Sequence, residues 1–308
     1  MTVIKNPEIR RSLTSGQQIG QILAKTIKYF SLFLASFIAV LPIYSCLVVA
    51  FKTDEEYALT APMALAQNPL NFENFRTVWV DGDMGKAFLT SFFVVAVVVT
   101  CSVLLGSMLA YVLNRFAFPG NKLIRNLFLF ATLIPGIAMQ VTIYQIMNRL
   151  NLINSLFGYI LLQCGTDVIS IYIFLQYFEN LPVSLDESAI LEGCTYYGVF
   201  FRILFPLLRP AMVTVMILKG IGVYNEYYTA NLYLQDKTRF VTISTALYSF
   251  TGPFGNRYNV ICAGVILSMI PILLIFIFCQ KAIYSGLAAR AVTAVRVFSL
   301  DAGRISFC

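Results

Sequence analysis

Histidine is absent from this 308-residue chain. That removes every His-based catalytic triad, imidazole zinc site and imidazole proton relay. Charge is scarce as well. Asp, Glu, Lys and Arg make up 12% of the residues, about half of the quarter that soluble domains carry. With 58% hydrophobic residues and a mean hydropathy of +0.77, the secreted and cytosolic globular classes are disfavoured, and immersion in a membrane is the simplest cause. There is no C-x-x-C pair. The seven cysteines (Cys46, Cys101, Cys164, Cys194, Cys262, Cys279 and Cys308) lie mostly inside apolar runs, where they read as small buried hydrophobes rather than ligands or disulfides. A phosphate-cradling G-x-x-x-x-G-K-[ST] loop is also missing. The only Gly-Lys pair, Gly85–Lys86, is followed by Ala87, so this chain alone is not expected to hydrolyse ATP. No repeat of 20 to 50 residues and no low-complexity tract is visible.

What remains is apolar run after apolar run. A membrane helix needs roughly 20 such residues. Six segments qualify: Tyr29–Phe51, Lys86–Leu113, Asn121–Met147, Ser155–Phe178, Pro206–Leu234 and Tyr258–Tyr284. The fourth is interrupted by Gln163, Thr166 and Asp167. The first run is too long for a cleaved signal core. The expected fold is therefore an all-α membrane protein with about six transmembrane helices in one bundle. It divides into a cytoplasmic N-terminal segment (1–28), a transmembrane domain (29–285) and a cytoplasmic tail (286–308).

The net charge of +7 is spread over the loops. It reads as membrane orientation and not as nucleic-acid binding. With both termini inside, Lys and Arg favour the cytoplasmic segments by two to one, which also puts the loop around Glu187 in the cytoplasm. Arg115, Lys122 and Arg125 fall on that side; Lys52, Arg76 and Lys86 fall outside; Lys219 falls within a span. In the first outer loop, Asn71–Val80 suits a short amphipathic helix that places Trp79 at headgroup level. Gln18–Lys28 fits either an interfacial helix or an extension of the first span.

The polar gap between the fourth and fifth spans carries the strongest pattern. Pro182 discourages helix at Leu181. Ser184 and Glu187 stand at capping-box spacing, so a short helix is expected over Leu185–Glu192, with Leu185, Ser188 and Ala189 exposed for a partner's groove. Gly193 sits where a left-handed stop belongs. Thr195 then caps a second helix, Tyr196–Phe205, whose Phe200 and Ile203 would pack against the bundle and which runs up to Pro206.

Glu187, Gly193, Phe200, Ile203 and Pro206 match the spacing E-A-A-x-x-D-G-A-x-x-x-x-x-F-x-x-I-x-L-P. This resembles the cytoplasmic docking loop of permease subunits in binding-protein-dependent ABC importers, and the chain from about Tyr29 to Val292 resembles the second permease subunit of maltose-type systems. Ser188, Glu192 and Cys194 depart mildly from that pattern, replacing Ala, Asp and Ala. The resemblance implies a sugar or related carbohydrate as cargo, moved by alternating access. It implies a heterodimer with a second permease, an ATPase dimer at the cytoplasmic face, and an extracytoplasmic solute-binding protein. ATP and Mg would sit on the ATPase, with no cofactor on this chain. The location implied is the cytoplasmic membrane of a prokaryote. Within the loop, motion of the ATPase would pass through the lever into the fifth span.

Two further stretches carry the resemblance. Tyr224, Asn225, Glu226 and Tyr227 resemble a W-N-E-F element of sugar permeases. Amide and acid groups beside aromatic rings suit a sugar site, and equally suit interhelical hydrogen bonding. Lys219 stands where an uncharged residue is usual in the family, with Glu226 or Asp167 as its partner. Tyr284–Val292 resembles the family's ending, with Arg290 in place of a glycine and Thr293–Cys308 continuing past it. The rival readings are a permease for an amino acid, peptide or polyol, an ion-coupled secondary carrier, and a non-transporting receptor or scaffold.

Overall fold

The computed structural model describes residues 15–165, 167–252, 255–278 and 280. The Tyr284–Val292 element, the tail and Thr166 lie outside them. In chain order the helices are α1 (Ser15–Ala50), α2 (Asp54–Leu59), α3 (Glu73–Asp81), α4 (Met84–Arg115), α5 (Asn121–Leu133), α6 (Gly136–Arg149), α7 (Leu156–Cys164), α8 (Val168–Glu179) and α9 (Ser184–Leu191). They continue with α10 (Tyr196–Leu207), α11 (Arg209–Tyr224), α12 (Tyr228–Tyr233), α13 (Ile243–Tyr248) and α14 (Tyr258–Phe278). A two-residue antiparallel pair, Thr251–Gly252 with Gly255–Asn256, precedes α14.

Among the described residues, three stretches are individually long and apolar enough to cross a bilayer: Lys25–Ala50 within α1, α4 and α14. The bent pairs α5–α6, α7–α8 and α10–α11 pass the same test jointly, which gives up to six spans with each pair taken as one. The chain is thus an all-α, multi-pass bundle. Residues 18–28 belong to α1 itself, so the extension reading of that stretch holds. The third and fifth spans are not the continuous helices expected. α5 and α6 meet at 101° around Pro135, and α10 and α11 at 74° around Leu208. Proline explains both breaks, because Pro135 and Pro210 have no N–H to give the helical ladder. The fifth segment also stops at Asn225, and α12 is a separate helix.

The largest buried cluster gathers Val103, Tyr111, Phe174, Phe178, Phe200, Leu204 and Val215 from α4, α8, α10 and α11. α4 can lie close to α8 because small residues line its inner side: Ser102, Gly106, Ser107 and Ala110. A Cβ added to Gly106 would stand 3.4 Å from the Phe174 ring. Membrane helices use such small-residue seams because lipid supplies no hydrophobic drive for association. Elsewhere large apolar groups face outward, among them Phe33, Phe130, Ile137 and Phe278. Patches of this extent belong against lipid or another subunit.

The amphipathic helix expected over Asn71–Val80 is α3, and Trp79 is half exposed on it. Lys52, in the surrounding loop, is fully buried. Its Nζ donates to Thr60 Oγ1 at 2.9 Å and to the Ala61 carbonyl at 2.7 Å. Asn74 donates to the Ala50 and Lys52 carbonyls at 2.8 and 2.7 Å. Asn259 donates to Asn74 Oδ1 at 3.2 Å. These bonds tie the end of α1, α3 and the start of α14 into one knot. Replacing Asn74 with Ala removes three bonds: the Ala50 carbonyl loses this donor, and the Lys52 carbonyl and Asn259 amide keep only their own 3.3 Å bond to each other, at about 1–3 kcal/mol for a group left unsatisfied. Asn74→Ala is therefore expected to lower the melting temperature in detergent clearly more than Asn71→Ala, as read by a thermal-shift assay.

Candidate functional site

α9 and α10 form a hooked projection between α8 and α11. The capping box is absent. Val183 is already in helical conformation, Ser184 is the first residue inside α9, and no side chain caps it. Leu185 N–H instead bonds the Pro182 carbonyl, and Asp186 and Glu187 N–H bond the Val183 carbonyl. The turn after Pro182 starts helical geometry too early for Ser184 to stand as a cap.

The other end matches expectation. Gly193 has φ +87°, its N–H bonds the Ile190 carbonyl at 2.9 Å, and Cys194 N–H bonds the Ala189 carbonyl at 3.0 Å. That two-bond pattern is a Schellman stop. Thr195 then accepts from Gly198 N–H at 3.2 Å and starts α10. Within α10 the stretch Val199–Leu204 is π-helical, with Phe205 N–H reaching back to the Phe200 carbonyl. Phe200 is buried, with ring centroids 5.4 Å from Tyr111 and 5.7 Å from Phe205. Ile203 packs at the edge of the same cluster, and Pro206 is exposed.

The outward face of α9 differs from the expected one. Ala189 is buried and Leu185 half-buried, while Glu187, Ser188, Ile190 and Leu191 are exposed, Leu191 at 88%. Glu192 and Gly193 are also exposed, and Cys194 is half-buried. Ala189 turns inward because α9 is held by Asp186, a residue the spacing analysis passed over. Asp186 Oδ2 lies 3.2 Å from Arg115 Nε, with both side chains less than a tenth exposed. The Arg115 guanidinium also donates to the Leu181 carbonyl and to Asn114 Oδ1, each at 3.0 Å. The Asp186 oxygens make no hydrogen bond of good angle, so the pair is held by charge. Burial pushes the Asp186 carboxyl above its ordinary range, and Arg115 offsets part of that rise. An acid one position before the expected anchor Glu187, and an arginine ending an apolar span, were the available signals.

The second candidate group lies in the fifth span. Lys219 Nζ is 3.8 Å from Asp167 Oδ2, both mostly buried, so Asp167 and not Glu226 is its partner. Asp167 also caps α8, accepting from Ser170 N–H at 3.4 Å, and takes the Ser170 hydroxyl at 2.5 Å. Tyr224 donates its hydroxyl to the Ser268 carbonyl at 2.8 Å, tying α11 to α14. Asn225 donates to the Ile221 carbonyl at 3.0 Å. Glu226 accepts from Thr229 N–H at 2.7 Å and so starts α12. Tyr227 lies against Tyr248 with centroids 4.1 Å apart. These polar groups stitch a helix break together, as lipid-buried backbone requires.

Residues 102–290 match the family described as binding-protein-dependent transport system inner membrane component. The chain belongs to this family. The matched stretch contains the α9–α10 projection and both candidate groups. Among curated relatives, the arabinooligosaccharides transport system permease protein AraQ of Halalkalibacterium halodurans is 29% identical over 259 residues, covering 83% of this chain and 92% of that one. The diacetylchitobiose uptake system permease protein NgcG of Streptomyces coelicolor is 29% identical over 259 residues, covering 83% and 85%. A chain from the crystal structure of a bacterial ABC transporter involved in import of the acidic polysaccharide alginate superposes with a TM-score of 0.73 at 18% identity, over 87% of this chain and 98% of that chain. This last likeness concerns the fold.

Two predictions follow for this permease. A Cβ at Gly193 would meet nothing within 4 Å, so the constraint there is conformational. Gly193→Val should cost about 1–2 kcal/mol, while Gly193→Asn, which tolerates a left-handed backbone, should cost less; protease clipping across residues 183–195 reports the difference. At the intramembrane pair, Lys219→Met or Asp167→Asn alone should cost about 1–3 kcal/mol. The double substitution should recover most of it, since Asn still caps α8. A double-mutant cycle on thermal stability checks this.

Proposed function

We propose that this chain is the membrane-spanning permease subunit of an ATP-driven importer for an oligosaccharide or related carbohydrate. The observation that carries the reading is the α9–α10 projection: a short, Schellman-stopped helix whose exposed face offers Glu187, Ile190 and Leu191 while its other face is anchored to the bundle. A short helix that exposes apolar Ile190 and Leu191 beside a carboxylate suits a groove on a partner protein. The names of the relatives, permeases for arabinooligosaccharides and diacetylchitobiose, support a carbohydrate cargo.

In this reading the chain works at the cytoplasmic membrane of a prokaryote, with both termini and the projection in the cytoplasm. Leu185, Glu187, Ser188, Ala189, Glu192, Gly193, Cys194, Phe200, Ile203 and Pro206 build the coupling loop, some as contact surface and others, such as Ala189 and Phe200, as its inward support. An ATPase dimer below supplies the energy and holds ATP and Mg; this chain binds no cofactor. A second permease completes the pathway, and an outer binding protein delivers the solute. The bundle alternates between inward and outward openings. Lys219, Tyr224, Asn225, Glu226 and Tyr227 border the candidate pathway. Tyr227 and its neighbour Tyr248 are the members with ring surface left for a sugar face, since Tyr224 is buried and bonded to α14.

The test reconstitutes the chain with the second permease, ATPase and binding protein in vesicles and follows labelled arabino- and chito-oligosaccharides. ATP-dependent uptake is expected. Uptake by this chain in an ion gradient without any ATPase would instead make it a secondary carrier. Glu187→Arg should leave the protein in the membrane while lowering uptake at least about tenfold, because a reversed charge at an interface costs several kcal/mol. Normal ATPase co-purification together with normal uptake would remove α9 from the coupling site.

A further inference from the structure

Two routes leave the α9 projection for the membrane, and they differ in stiffness. The first enters the fifth span through α10. That route crosses the π-helical stretch Val199–Leu204, then Pro206 and Pro210, which lack ladder donors, and then the 74° bend at Leu208. π-segments and prolines are the usual sites where helices yield. The second route is short. Asp186 stands on the inward face of α9, next to the outward Glu187, and meets Arg115 at 3.2 Å. Arg115 also grips the Leu181 carbonyl just ahead of α9. Around this contact Tyr111 and Phe116 of the second span and its exit pack against Phe200 and Tyr196, with ring centroids at 5.4 and 5.2 Å.

The element that receives this contact suits transmission. α4 is a single 32-residue helix with no proline, about 48 Å long at the usual rise. It packs on α8 and α11 along its length. Towards its other end Ser91 Oγ accepts from Ile243 N–H at 3.0 Å, which joins it to α13. Displacement at Arg115 therefore reaches the far side of the bundle through one rigid rod.

We propose that the Arg115–Asp186 pair is the principal mechanical link between the docking helix and the bundle, so that the stroke drives α4 directly while the α10–α11 path follows. The inference rests on the coupling reading above and deepens it by assigning two positioning residues. Neither residue needs to touch cargo or nucleotide.

The experiment uses the assembled transporter with the second permease, ATPase and binding protein in proteoliposomes. The readout is oligosaccharide taken up per ATP hydrolysed, beside the yield of co-purified ATPase. Arg115→Met combined with Asp186→Leu replaces the buried pair with apolar groups of similar bulk, a change that proteins often tolerate. The variant is expected to bind ATPase normally and hydrolyse ATP, with uptake per ATP falling roughly tenfold or more, within the usual range of coupling effects. Arg115→Lys, which keeps the charge and loses the grip on Leu181, should fall between. If the double variant does not accumulate in the membrane, Asp186→Asn carries the same measurement. Unchanged uptake per ATP overturns the proposal. So does loss of ATPase binding, which would mean that the pair only shapes the docking surface. A wild-type chain that fails to retain any ATPase would instead remove the coupling reading on which the proposal stands.

Discussion

The ion pair between Arg115 and Asp186 sets the geometry of the projection. Two charges are taken out of water at the end of a membrane helix, and their attraction has to offset two desolvation costs. Such a pair adds little net stability, but losing one partner would leave the other buried and unpaired. The arrangement is therefore strongly specified. It decides which face of α9 turns inward, and hence that Ala189 supports while Ile190 and Leu191 protrude. Without it, α9 would hang on the Pro182 turn and a few aromatic contacts.

The bundle above shows the complementary pattern. α4 is continuous and seamed with small residues, so neighbours approach it closely. The third, fourth and fifth spans are interrupted. Polar side chains serve backbone groups at helix ends: Asp167 caps α8, Glu226 accepts from Thr229 N–H at the start of α12, and Asn121 donates to the Leu113 and Phe116 carbonyls at the end of α4, at 3.0 and 2.9 Å. Polar residues inside the apolar spans thus serve the backbone first. A rigid central helix among broken ones suits a transporter that must change shape around a fixed axis.

Much of this was legible in the residues. The six spans follow from apolar runs. The helix α3, the left-handed stop at Gly193 and the Thr195 cap follow from local chemistry that acts within four residues. The α9–α10 projection was legible because Gly193 and Thr195 serve such local geometry. Other features were not legible, for physical reasons. The burial of Lys52 could not be read, because its acceptors at Thr60 and Ala61 are found only once the loop folds back. Ser184 stands at capping spacing, but the turn after Pro182 begins the helix before it. Pro135 and Pro210 mark breaks, yet the angles at which the helices resume depend on what they pack against.

By itself, the sequence determined the membrane class, the number of apolar segments and the place of the helical hook between the fourth and fifth of them, because each follows from composition or from contacts between near neighbours along the chain. Only the tertiary structure decided that Asp186 pairs with Arg115, that Lys219 pairs with Asp167 and not Glu226, and which side of α9 faces outward. Those outcomes turn on residues roughly fifty to seventy positions apart meeting at low dielectric, where a few ångströms separate a strong attraction from none.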